Sequence, residues 1–94
     1  MTKETLIGIL EDRAELQLQI GLSDKVYLDG IHLFCMGITD REIQVTEEAM
    51  YKIIEILQPT VEYSEFGRGH IEISFKMDLL GIPFEILALK KKEV

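Results

Sequence analysis

The sequence predicts a single α+β domain in which two helices pack on an antiparallel sheet of four to six strands. Two stretches carry apolar residues at helical spacing, and the last third of the chain has the pattern of three strands that share one apolar face. The expected element order is α-β-β-α-β-β-β. Because 94 residues suit one domain, we assign residues 1–94 to a single unit.

The first helix is expected over residues 3–20. Thr2 is placed to cap its N-terminus, and Gly21 stands where a C-terminal cap belongs. The last turns have a second interpretation, because leucine and isoleucine alternate with glutamine over residues 16–20 as they would in a strand. The apolar arc covers about half of the helix circumference, which is more than one sheet face requires. It comprises Leu6, Ile7, Ile9, Leu10, Ala14, Leu16, Leu18 and Ile20.

Residues 25–36 are expected to be extended, with a turn or bulge at Asp29-Gly30. Residues 41–45 predict a short returning strand. Thr39 and Glu42 also fit a capping box, which would begin the second helix early. We prefer the strand because another helix start follows directly, with β-branched residues just before it.

The second helix is expected over residues 46–57. Pro59 ends it, because proline disfavours the helical conformation in the residue before it. Its apolar residues recur at helical spacing and predict one buried stripe. This stripe comprises Ala49, Met50, Ile53, Ile54, Ile56 and Leu57.

The last third predicts a meander of three antiparallel strands. A three-residue loop at Gly67-Arg68-Gly69 keeps polar and apolar residues on separate faces, whereas a two-residue loop would mix them. A tight turn at Leu80-Gly81 extends the same apolar face into the third strand and places Lys76 opposite Glu85 on the outer face. The three strands cover roughly residues 60–66, 70–78 and 83–89.

The composition excludes several classes of protein. The chain is 47% hydrophobic, which is enough apolar surface to fold, so we do not expect disorder. Seventeen acidic residues against ten basic ones give a net charge of −7, which argues against direct nucleic-acid binding. A single cysteine, Cys35, allows no internal disulfide. With no signal-peptide pattern and no membrane-spanning apolar run, we expect a cytoplasmic protein.

Metal and cofactor sites are not expected from this sequence. His32 and Cys35 are three residues apart, which places them on opposite faces of a strand. His70 and Glu72 share a face, but structural zinc takes four ligands, and the chain holds only three histidine and cysteine residues. We interpret Cys35 as a small core residue.

A catalytic role is the weaker interpretation of the outer face of the meander. His70 and Glu72 are the candidate acid and base there. Solvated faces of antiparallel sheets are polar in the same way without any chemistry, and an open face lacks the concavity of an active site. The polar residues of this face are Glu62, Ser64, His70, Glu72, Ser74 and Glu85.

An interaction surface is the stronger interpretation. Arg68 would stand at a hairpin tip beside Phe66 and His70, a composition found at interaction hot spots. Phe66, Leu87 and Leu89 fall on the otherwise polar outer face in the expected register. Surplus apolar surface of this kind favours a protein partner, including a second copy of the chain.

The first functional hypothesis is therefore a small, acidic, non-enzymatic protein that acts through protein–protein contact as a homo-oligomer. One alternative is a small enzyme or ligand-binding domain using His70 and Glu72. Another is an acidic inhibitor that mimics nucleic acid and blocks a nucleic-acid-handling enzyme. The acids behind that alternative are Glu4, Glu11, Asp12 and Glu15 on the first helix and Glu47, Glu48 and Glu55 on the second.

Overall fold

Two helices and six strands follow one another in the order α-β-β-β-α-β-β-β. The structure is a computed structural model that describes residues 1–20, 25–28, 31–35 and 41–92, with side chains for residues 1–18 and 41–92. The elements are α1 (Lys3–Ile20), β1 (Lys25–Leu28), β2 (Ile31–Cys35), β3 (Glu42–Val45), α2 (Glu47–Leu57), β4 (Glu62–Phe66), β5 (His70–Leu79) and β6 (Ile82–Lys91).

The α+β class and the two helices are confirmed, but the element order and the purely antiparallel sheet are wrong. Residues 25–36 contribute two paired strands rather than one, and the expected turn at Asp29-Gly30 lies outside the described residues. The six strands lie in the order β1-β2-β3-β6-β5-β4, and β3 runs parallel to β6. The meander joins the sheet through its last strand, and that strand runs in the same direction as β3.

The meander itself follows the sequence closely. Tyr63 pairs with Ile73 across the first hairpin, and Lys76 pairs with Glu85 across the second. The loop of residues 67–69 has positive φ at both of its glycines, 59° and 90°, a backbone region that glycine enters without steric cost. These local features confirm the three-residue loop and the shared apolar face.

The predicted N-terminal cap of α1 is confirmed. The Thr2 Oγ1 accepts a hydrogen bond from the backbone N–H of Thr5 at 3.1 Å. The helix continues to Ile20, so the strand-like alternation of its last turns does not produce a strand. The cap expected at Gly21 lies outside the described residues.

The second helix begins one residue later than expected and is capped at both ends. The Thr46 Oγ1 accepts a hydrogen bond from the Ala49 N–H at 3.2 Å. Gln58 closes the helix in the left-handed conformation, with φ of 49°, and Pro59 follows directly. The strand at Glu42–Val45 excludes the early helix start.

Both helices pack on the same face of the sheet and share one core with it. This arrangement is a two-layer architecture, in which each helix buries a stripe against the apolar face of the strands. None of the helices in the described ranges is both long and apolar enough to cross a membrane. The buried core residues are Leu6, Leu10, Ala14, Ile43, Val45, Ala49, Met50, Ile53, Ile73, Phe75, Leu79, Phe84, Ile86 and Ala88.

The buried stripe of α1 differs from the predicted apolar arc. Arg13 and Gln17 are each only 1% exposed, whereas Ile7 and Leu16 are half-buried. A stripe that starts at Leu6 and advances by three or four residues passes through both polar positions. The position of the helix on the sheet therefore buries a narrower, partly polar stripe.

Candidate functional site

The outer face of the sheet, opposite the helices, carries the polar side chains of the meander. Neighbouring residues across β4, β5, β6 and β3 form rows on this face, because side chains of a strand alternate between its two faces. One row contains Ser64, Glu72 and Leu89, the next contains Glu62, Ser74, Leu87 and Gln44, and the third contains Lys76, Glu85 and Glu42.

A pocket of about 460 Å³ opens on this face between β4, β5 and β6. Its volume lies within the range of small-ligand sites. Three strands supply most of its lining, which includes three carboxylates and one ammonium group. The polar residues concerned are Glu62 and Ser64 from β4, Glu72, Ser74 and Lys76 from β5, and Glu85 from β6.

Negative charge is concentrated around Glu72. Burial raises the pKa of the Glu72 carboxyl above its ordinary value, and a side-chain hydrogen bond with Glu85 raises this pKa further. The negative charges of Glu85 and Glu42 act on the pKa in the same direction. A neighbouring negative charge disfavours ionisation of a carboxyl group, so the acidic surroundings hold the pKa of Glu72 high.

Ser74 is the most buried polar residue of the pocket lining. The residue is 8% exposed, and no hydrogen bond is made by its hydroxyl within the described part of the chain. The hydroxyl is open to the space of the pocket, so a bound molecule could reach it. Gln44, in the same row, differs in having a fully buried side-chain oxygen with no hydrogen-bond partner among the described residues.

His70 and Glu72 lie on the same face, as their spacing predicts, but the pocket includes only Glu72. His70 is exposed at the far end of β5, where it pairs with Phe66 on one side and Lys91 on the other. Arg68 is exposed in the adjoining loop. The structure therefore separates the two candidate catalytic residues into different surroundings.

The apolar residues assigned to the outer face differ in exposure. Leu87 is only 2% exposed between Ser74 and Gln44, so it has little surface to offer a partner. Leu89 is half-buried opposite Glu72. Phe66, at the end of β4, remains 42% exposed.

Among the elements whose side chains are described, the edge strand β4 is the most exposed. All five of its residues are exposed, and it has a strand neighbour on one side only. Tyr63 is 66% exposed although it shares the apolar face with Ile73. Sequence patterning missed this exposure, because periodicity shows which face a residue lies on but not whether a helix covers that face. The helices cover β3, β5 and β6 and leave the inner face of β4 open.

The described residues contain no group of three or more histidine, cysteine or acidic side chains that could hold a metal ion. His32 and Cys35 lie on β2, whose backbone alone is described. The acids predicted on the outer sides of the helices are mostly solvent-facing, with Glu4, Asp12 and Glu48 among those exposed.

Together these features define a small two-layer α+β domain with a mixed sheet, an acidic pocket on the open face and an exposed edge strand. No family model, no curated protein and no solved structure matches the chain.

Proposed function

We propose that this protein acts through protein–protein contact and forms a closed homodimer in which β4 pairs with β4 of a second copy. The observation that supports this most directly is the complete exposure of β4 at the edge of the sheet. An edge strand presents backbone donors and acceptors to any strand that can pair with it. β4 contains neither lysine nor proline, the residues that commonly block such pairing.

The sequence of β4 is compatible with antiparallel pairing to itself. With Ser64 on the two-fold axis, Glu62 faces Phe66 of the second copy and Tyr63 faces Glu65. No carboxylate is then opposite another, whereas a register centred on Glu65 would oppose two like charges, which is destabilising. The Lys92 Nζ lies 3.1 Å from the Glu65 Oε1 and compensates the charge of this carboxylate.

Pairing of this kind would also cover the exposed aromatic ring of the inner face. In the Ser64-centred register the two Tyr63 residues are diagonal neighbours, a separation that aromatic side chains can span. A two-fold axis normal to the sheet keeps the helices of both copies on one side, and the interface is isologous. The outer faces of β5 and β6, which line most of the pocket, stay uncovered in this dimer.

Light scattering after size exclusion, at several concentrations, tests the proposal. We expect the wild-type chain to be a dimer and Tyr63→Glu to be a monomer, because the new carboxylate would face Glu65 of the second copy. Leu80→Glu is the matched control, since Leu80 is similarly apolar and exposed but lies in the β5–β6 turn. A monomeric wild type, or equal dissociation of both variants, would refute the dimer.

A further inference from the structure

The outer-face pocket has an excess of negative charge spread over three strands. Glu62, Glu72 and Glu85 come from β4, β5 and β6 respectively, and Lys76 is the one cation in the lining. Adjacent strands are about 4.8 Å apart, so the outer two carboxylates start from strands about 10 Å apart. The pocket therefore suits a positively charged ligand that extends across the strands.

The Ser74 side chain adds an independent indication of a ligand. The Ser74 hydroxyl faces this space from a residue that is more than nine-tenths buried, and it has no hydrogen-bond partner in the described part of the chain. A ligand that donates a hydrogen bond there would satisfy the hydroxyl oxygen. An ammonium group has three donors and can contact a carboxylate and a hydroxyl together.

The spacing of the charges favours an organic cation over a metal ion. Within the described ranges, no three carboxylate, histidine or cysteine groups are close enough to bind one metal ion. The volume of about 460 Å³ also exceeds what a single ion needs. Separate carboxylates on neighbouring strands match an extended ligand that carries several separate positive charges.

We propose that this pocket binds an extended aliphatic polyamine, whose ammonium groups contact Glu62, Glu72 and Glu85 and donate a hydrogen bond to Ser74. The proposed dimer does not supply this site, because β4 pairing uses the strand edge and leaves the outer faces of β5 and β6 uncovered. Lys76 lies opposite Glu85 in the register of β5 and β6, so its ammonium group would compete with the ligand for this carboxylate.

Isothermal titration calorimetry with spermidine, at constant ionic strength, tests the site. We expect Glu85→Gln to weaken spermidine binding about five-fold or more, the effect of losing one favourable ion pair. Glu55→Gln is the matched control: it changes the net charge equally but lies exposed on α2, on the opposite side of the sheet. Equal weakening by both variants would show only nonspecific attraction and would overturn the proposal.

A second pair of variants tests Lys76, whose loss should change the spermidine affinity in the opposite direction. Lys76→Gln removes the internal ammonium group, so we expect spermidine to bind more tightly than to the wild-type protein. Lys52→Gln, on the exposed side of α2, should leave the affinity nearly unchanged. Weaker binding to Lys76→Gln, or the same gain in both variants, would contradict the site.

Two further measurements separate this proposal from its competitors. Carboxyl NMR should show a lower titration midpoint for Glu72 when spermidine is present, because a nearby cation favours the charged carboxylate. Magnesium at equal ionic strength should leave that midpoint unchanged, and an equal shift would overturn the polyamine assignment. We expect Tyr63→Glu to retain spermidine binding as a monomer, so failure of the dimer and failure of the pocket are distinguishable.

Discussion

The side-chain amide of Gln17 donates a hydrogen bond from Nε2 to the backbone carbonyl oxygen of Glu42 at 3.0 Å, and this bond joins α1 to β3. The Oε1 of the same amide accepts a hydrogen bond from the Arg13 Nε at 2.7 Å. Both side chains are buried, so the interface between helix and sheet is polar at this point. Buried polar groups specify one arrangement when their hydrogen bonds are satisfied, and they are costly when a partner is removed.

Replacement of Gln17 by leucine should therefore destabilise the protein although it makes the interior more apolar. The Arg13 Nε loses its acceptor, and the Glu42 carbonyl loses its donor. We expect a loss of about 2 to 3 kcal/mol in the free energy of unfolding, measured by urea denaturation. A change within about 0.5 kcal/mol, as is usual at exposed positions, would contradict the structural role of this amide.

The same substitution at Gln44 should have the opposite effect. The Gln44 Oε1 is buried and finds no hydrogen-bond partner among the described residues, and the side chain neighbours Leu87 on the outer face. Removal of an unpaired buried oxygen recovers its desolvation cost, so we expect Gln44→Leu to add about 1 kcal/mol of stability. Urea denaturation of both glutamine variants gives the comparison, and destabilisation by Gln44→Leu would show that the amide is satisfied.

The raised pKa of Glu72 predicts a stability that depends on pH. The folded state binds this proton more tightly than the unfolded chain does, so ionisation of Glu72 opposes folding, and its cost is present above the folded pKa. As the pH falls through the folded pKa to below the ordinary value of 4.5, the cost disappears. We expect Glu72→Gln to raise the Tm at neutral pH and to change it little below pH 4.5.

Calorimetric scans across this pH range check that prediction. Glu48→Gln, an exposed change on α2, controls for net charge and should give a smaller increase at neutral pH. A Tm increase that is equal at both ends of the pH range would show that ionisation of Glu72 is not its cause.

The turn between β5 and β6 contains a residue that the backbone disfavours. Leu80 has φ of 57° and is followed by Gly81 with φ of 75°, the pattern of a type I′ turn. Asparagine tolerates this conformation better than leucine, and Leu80 is 47% exposed, so little burial is lost. We expect Leu80→Asn to stabilise the protein by about 1 kcal/mol.

The control for the turn is Leu80→Ile, because a β-branched side chain is more restricted at positive φ. This variant should lower the Tm, whereas Leu80→Asn should raise it, in thermal unfolding followed by circular dichroism. A Tm that falls in both variants would indicate that the Leu80 side chain contributes packing despite its exposure.

Several features of the fold follow from short stretches of sequence. The loop at Gly67-Arg68-Gly69 and the alternation around it predict the register that places Lys76 opposite Glu85, and the structure has this pair. The same register places the carboxylates together on the outer face. It does not show which of them share the pocket. These features depend on backbone preferences and side-chain periodicity, which act between residues close together in the chain.

Long-range packing decided the rest. A strand pattern does not indicate which meander strand will meet β3, so the parallel pairing of β3 with β6 could not be read from periodicity. The burial of Gln17 depends on where α1 crosses the sheet, and the exposure of Tyr63 depends on how far the helices extend over the strands. By itself the sequence determined the two helices, the N-terminal cap of α1 and the registers of the two hairpins of the meander. Only the tertiary structure decided which faces are covered, because coverage depends on segments that are distant in the chain.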